Sequence, residues 1–152
     1  MDLRTAIYRY CNYQERAHQE VRNRLYELGA TTPEVESLIT ELIEADLLNE
    51  ERFARSYARG KFRIKKWGRI KIKVGLNALR VSEYCIKKGL TEINQEEYWE
   101  TLLSLARRWW DHYKGIKPEW ARKAKAHQYL LSRGYENGLV AEALTEILSE
   151  PG

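Results

Sequence analysis

Ten cations lie between Arg52 and Lys73: Arg52, Arg55, Arg59, Lys61, Arg63, Lys65, Lys66, Arg69, Lys71 and Lys73, with no Asp or Glu among them. The acid-free zone runs on to Ser82 and gains Arg80, so 31 residues hold eleven of the chain's 26 basic residues. The remainder of the chain stands at −7, although the whole is only +4. The chemistry open to such a segment is the binding of negative charge, guanidinium groups gripping carboxylate or phosphate bidentately and ammonium groups acting as point charges. An idle solvated face ordinarily mixes signs to avoid self-repulsion. The segment therefore points to a polyanion or an acidic protein surface. On a helix, Arg52, Arg55, Arg59, Arg63 and Lys66 step by three or four residues into one stripe, while Phe53, Tyr57 and Ile64 face another way and are expected to pack.

A second, weaker basic region comprises Arg107, Arg108, Arg122, Lys123 and Lys125, with Lys114 and Lys117 between. The adjacent Trp109 and Trp110 point about 100° apart on a helix, so one stripe cannot bury both. One is expected in the core and the other at an interface or against a neighbouring unit. Trp67-Gly68 marks a corner between two helices, where Gly accepts unusual backbone angles and Trp plugs the gap. One aromatic makes no stacking platform for single strands.

Nothing in the chain has the spacing of a catalytic or metal motif. His18, His112 and His127 are far apart in helical patterns, and there is no phosphate-binding Gly loop or nucleophile motif. Glu50-Glu51 and Glu96-Glu97 read as first-turn acids set against a helix dipole. Cys11 and Cys85 form neither a metal spacing nor a disulfide framework and are expected to be reduced thiols. The expectation is a non-enzyme that needs no cofactor. The N-terminus is too often interrupted by charge for a signal peptide, and no run approaches the roughly 18 apolar residues of a membrane span. A cytoplasmic, soluble monomer without membrane contact is expected.

The elements that must position these residues are helices. Charged residues make up 32% of the chain and there are only nine Gly and three Pro, a composition that favours an all-α fold. Ile7, Tyr10 and Tyr13, then Val21, Leu25 and Leu28, recur at helical spacing, best as two short helices with Gly29 at the end. Thr32 is expected to cap a third helix with Pro33 at its first position. Its buried stripe is Val35, Leu38, Ile39, Leu42 and Ile43. Asn49 and Asn94 look like further N-caps. Ile70-Lys-Ile-Lys-Val74 alternates strictly and alone would read as a strand.

An internal comparison argues for helix there instead. Leu25, Gly29, Ala30, Val35 and Ile39 align without gaps on Leu76, Arg80, Val81, Ile86 and Leu90, and again on Leu130, Gly134, Tyr135, Val140 and Leu144. Three units of about 50 residues follow, 1–48, 49–93 and 94–152, each of three helices. The third is expected to carry Tyr98, Leu102, Leu105 and Trp109, then Ala121, Ala124 and Leu130-Leu131 after Pro118, then Leu139, Val140, Ala143, Leu144 and Ile147.

The order NEERFARSYARGKF, KKWGRIKIKVGLNAL, VSEYCIKKGL resembles the RecX family of bacterial regulators of the recombinase RecA. Phe53, Ala54, Tyr57, Lys66, Gly68, Ile72 and Leu76 match its middle repeat, across Asn49 to Leu90. Two positions depart from it: Arg80-Val81 stands where the family has Lys-Gly, and Gly75 stands inside a helix. The resemblance implies three tandem three-helix repeats in an elongated, curved array, acting in DNA repair and the SOS response. It further implies binding in the groove of the RecA–DNA filament and inhibition of ATP hydrolysis, filament growth and strand exchange. Direct contact with single- or double-stranded DNA is also implied, with the basic helix pair as the candidate for either contact. From the residues alone, a sequence-independent DNA-binding protein and a helical adaptor for an acidic partner remain alternatives.

Overall fold

The computed structural model describes residues 2–151. Among them there are nine helices and no strand: α1 Leu3–Tyr13, α2 His18–Glu27, α3 Thr32–Glu44, α4 Glu50–Lys65, α5 Arg69–Ala78, α6 Glu83–Leu90, α7 Gln95–His112, α8 Glu119–Ser132 and α9 Asn137–Ser149. They follow in three sets of three, the tandem repeat expected from the sequence. Residues 3–28 form two helices, and residues 70–74 are helical inside α5. The alternation there carries two helix faces, because Ile72 and Leu76 are buried one turn apart while Ile70 and Val74 stay exposed.

The aligned positions share one backbone geometry. Gly29, Arg80 and Gly134 all have positive φ, at 89°, 58° and 97°. The next residue of each set donates back to the carbonyl five earlier: Ala30 N to Leu25 O at 3.0 Å, Val81 N to Leu76 O at 3.1 Å and Tyr135 N to Leu130 O at 3.3 Å. Each middle helix thus ends in a left-handed cap. Arg80 adopts it without glycine, which costs about 1–2 kcal/mol.

Helix starts follow local chemistry. Asn49 and Asn94 accept the N–H of Arg52 and of Glu97, both at 2.9 Å. Asn94→Ala is expected to lower stability by about 1 kcal/mol, seen as a lower urea midpoint at unchanged slope. The cap of α3 is one residue earlier than expected. Thr31 is the N-cap and Pro33 sits at the second helical position, because Glu34 reciprocates by accepting the Thr31 N–H at 2.9 Å. Thr32 has Val35 three residues on and could form no such box.

Tertiary contacts divide the chain into two compact units: Met1–Arg59 with Gly75–Glu92, and Gly60–Val74 with Ile93–Gly152. Helices α4 and α5 each contribute to both. In the first unit Ile7, Cys11, Val21, Leu25, Ala30, Val35, Leu38, Ile39, Leu42 and Leu48 form one apolar cluster. Burial pushes the Cys11 thiol up to about 11, so it is a packing group. Ile43 lies outside that core and is exposed. Gly75 is explained here, since a Cβ would lie 2.1 Å from the Tyr57 hydroxyl oxygen. The departure from a better helix former is the space Tyr57 occupies.

In the second unit the buried residues include Phe62, Ile72, Tyr98, Leu102, Ala106, Ala126, Leu130, Tyr135, Val140, Ala143, Leu144 and Ile147. The ring of Tyr98 lies 5.7 Å from that of Phe62 and 5.1 Å from that of Tyr135. On α8 Leu130 is buried as expected, whereas Ala124 and Leu131 are exposed and Ala126 is buried instead.

Candidate cationic interface

The turn between α4 and α5 is held by the turn between α8 and α9. Gly68 N donates to Arg133 O at 2.8 Å, Ile70 N to Gly134 O at 2.9 Å, and Arg69 N to the Tyr98 hydroxyl at 3.0 Å. These satisfy N–H groups that the start of a helix leaves without intrahelical partners. In return the Tyr135 hydroxyl donates to Lys66 O at 2.7 Å and the Arg133 guanidinium to Lys65 O at 2.8 Å, covering carbonyls at the end of α4. Tyr98 also donates to Glu136 Oε1. Burial, then that bond to Glu136, pushes the Tyr98 hydroxyl well above its ordinary value, and burial raises Tyr135 likewise. Both stay neutral donors. Gly68 is needed at this corner for close approach and not for the unusual backbone angle expected: its φ is not positive, and a Cβ there would lie 2.3 Å from the Gly134 carbonyl. Trp67 is half-buried, with the Lys61 and Lys71 ammonium groups over its ring at 4.9 and 4.8 Å.

Nine of the ten cations of the basic segment separate into two groups. Arg52 pairs with Glu15 and Asp46. Arg55 pairs with Glu51 at 3.2 Å and reaches Thr91 Oγ1 at 3.3 Å, and Arg59 pairs with Glu92 at 2.8 Å. Arg69 pairs with Glu136 at 2.9 Å and lies 3.9 Å over the Tyr98 ring. These four arginines are committed to holding helices together. Arg63, Lys65, Lys66, Lys71 and Lys73 enter no salt bridge among the described residues. Lys66 borders an open groove that also contains Glu97 and Glu100. All five, with Lys61, belong to the second unit. Within the basic segment, the five cations without a salt bridge therefore lie in or on either side of the α4–α5 turn.

Sequence reasoning missed this division, since four of the neutralising acids, Glu15, Asp46, Glu92 and Glu136, lie outside local reach. Only Glu51, four residues before Arg55, was visible as a helical pair. It also placed Ile64 on the packing side, whereas Ile64 is 78% exposed and Ala54, Ala58 and Phe62 are buried with Phe53.

Two cations of the second basic region, Arg107 and Arg122, are committed too. Arg107 pairs with Glu150, and the Arg122 guanidinium lies 3.7 Å over the Trp110 ring while its Nε donates to Trp110 O at 2.9 Å. Arg108 lies 5.7 Å from the Trp109 ring centre, and Lys123 and Lys125 are exposed. Trp109 stacks on Tyr129 at 3.8 Å, so both tryptophans are half-buried. His112 packs edge-on against Trp109, and His127 Nε2 meets Asn137 Oδ1 at 2.7 Å. Burial holds His18 below its ordinary value, opposed by Glu50. Among the described residues no three His, Cys, Asp or Glu side chains come together as metal ligands, and no helix is long and apolar enough to cross a membrane.

Fold and surface together define an all-helical protein of tandem three-helix units with exposed, unpaired cations around the α4–α5 turn. Residues 49–90 match the model of the second three-helix domain of RecX and residues 95–144 that of the third. The chain belongs to the RecX family of regulatory proteins. It is 30% identical over 140 residues to the regulatory protein RecX of Thermotoga maritima, covering 91% of this chain and 80% of that one. The RecX of Prosthecochloris aestuarii is 26% identical over 151 residues, 97% of each chain. That of Halalkalibacterium halodurans is 30% identical over 139 residues, which are 91% of this chain and about half, 52%, of the relative. The crystal structure of RecX from Lactobacillus salivarius shares the fold, with a TM-score of 0.84 at 23% identity over 95% of this chain and 94% of that one.

Proposed function

We propose that this protein is a non-catalytic regulator of RecA that binds the groove of the RecA–DNA filament through the cations around the α4–α5 turn. It restrains ATP hydrolysis, filament extension and strand exchange, and works as a cytoplasmic monomer without a cofactor. The observation that carries this reading is the set of exposed cations Arg63, Lys65, Lys66 and Lys73, which make no internal salt bridge among the described residues. The repeats 1–48, 49–93 and 94–152 are the units that reach neighbouring filament subunits. A ligand changes a filament's state only through unequal affinity for its alternative arrangements. Contacts made from several repeats add up because the second forms at high effective concentration.

The test is titration of the protein into RecA assembled on single-stranded DNA, with ATP hydrolysis as the readout. Inhibition is expected well below one protein per RecA. Inhibition that began only once the DNA was saturated would replace this reading with simple competition for DNA. Bare-DNA affinity would then fall with salt by about 0.7 to 0.9 log units per log of salt for each phosphate neutralised.

A further inference from the structure

One buried side-chain polar atom among the described residues has no hydrogen-bond partner, the Nε2 of His18. His18 is the first residue of α2, next to the fully buried Ala17 that caps the helix. Buried polar atoms in folded proteins are paired as a rule, and one that is not calls for an explanation. The charged groups that act on the ring are Glu50, at the start of α4, and Arg22, one turn further along α2. All three residues belong to the first unit.

Glu50 is already engaged. Its Oε1 accepts the Ser82 N–H at 3.2 Å, and its Oε2 accepts from the Cys85 thiol at 3.9 Å. Ser82 is the N-cap of α6 and Cys85 lies in its first turn, so this one carboxylate joins α4 to α6. A neutral imidazole leaves that arrangement undisturbed. A protonated one makes both ring nitrogens donors, so Nε2 becomes a charged N–H buried without an acceptor. The charge would also stand at the end of α2 whose dipole repels cations, with Arg22 on the same helix. Glu50 is the carboxylate that can answer it, and does so only by giving up Ser82 and Cys85.

We propose that His18 is an acid-sensitive latch of the first unit: neutral, it lets Glu50 hold the start of α6, and on taking up a proton it competes with Ser82 and Cys85 for that carboxylate and loosens the join between α2, α4 and α6. Burial, the largest effect, and Arg22 hold His18 below the ordinary histidine value of 6.5, against the pull of Glu50. The unfolded chain therefore binds the proton more readily than the folded one. Stability is complete above about pH 6.5 and is lost as pH falls below it.

The test is urea unfolding of the whole chain between about pH 7.5 and about pH 5.5, in wild type and in His18→Gln, with His112→Gln and His127→Gln as controls. The wild-type midpoint is expected to fall on acidification, and so are those of both controls, whereas the fall should be lost in His18→Gln, whose side chain carries no charge at either pH. Over the same range the Ile86 amide, bonded to Ser82 O at 2.9 Å in the first turn of α6, is expected to lose protection from hydrogen exchange at least threefold in wild type and to keep it in the variant. A fall retained in full by His18→Gln, or removed by either control, would overturn the latch. Should His18→Gln fold poorly, titration of the His18 ring by proton NMR in wild type decides: a midpoint below 6.5 is expected, and one at or above it overturns the proposal.

Discussion

Gly68→Ala is expected to destabilise the protein by roughly 3–5 kcal/mol. The new Cβ would lie 2.3 Å from both the carbonyl carbon and oxygen of Gly134 and 2.5 Å from the Tyr135 nitrogen, all of them backbone atoms. No flexible side chain can yield, so the α4–α5 turn must part from the α8–α9 turn. That breaks the bonds from Gly68 N to Arg133 O and from Ile70 N to Gly134 O, and strains those to the Lys65 and Lys66 carbonyls. Each intramolecular hydrogen bond is worth about 1 kcal/mol net, and a buried group left unpaired costs more. Total stabilities are commonly 5–15 kcal/mol, so much of the reserve would go. The control is Gly60→Ala, in the interior of α4 with nothing within 4 Å of its new Cβ. That change is expected to stabilise by about 0.5–1 kcal/mol. Urea unfolding of the two variants checks both, and a Gly68→Ala midpoint equal to wild type would show that the turns are not in contact.

Reversing charge at Arg63, Lys65 and Lys73 together is expected to weaken binding to the RecA filament about 100- to 1,000-fold, since three attractions become like-charge contacts with an acidic or phosphate-bearing partner. Stability should fall by only about 1–2 kcal/mol, because these exposed side chains form no salt bridge among the described residues and only Arg63 and Lys65, in the last turn of α4, face the negative end of a helix dipole. Reversal at Arg55 and Arg59 is expected to behave differently. It would set new carboxylates against Glu51 and Glu92, which lie 3.2 and 2.8 Å from the guanidinium groups they now pair with. The unfolding midpoint should fall, and any loss of binding should follow the loss of fold. Filament affinity and urea midpoint measured on both variants separate the two roles. A triple reversal that bound normally would remove the α4–α5 turn as the interface.

Much of this division was beyond a reading of the residues in order. Helix periodicity is a local property, which is why α1 to α9 and their caps at Asn49 and Asn94 were legible. The gapless alignment went further. It put Gly29, Arg80 and Gly134 in register, and all three have positive φ despite their different side chains. It also overruled the strand pattern of residues 70–74, because a repeated fold outweighs alternation over five residues. Thr31 shows the limit even for local chemistry, since two adjacent threonines compete and Glu34 decides between them.

Order and composition thus settled that the chain is helical, that it repeats, and that its positive charge gathers between residues 52 and 73. Where that charge is available depended on folding. Acids absent from the segment return to it in space, Glu15 and Asp46 onto Arg52, Glu92 onto Arg59, and Glu136 onto Arg69. Coulomb attraction acts through space over a few ångströms and takes no account of sequence separation. The same is true of burial, which covered Phe62 and left Ile64 in water two residues on. Ten cations within 22 residues of sequence therefore become four arginines in ion pairs and five unbridged cations in or on either side of the α4–α5 turn, a turn clasped by Arg133, Gly134 and Tyr135.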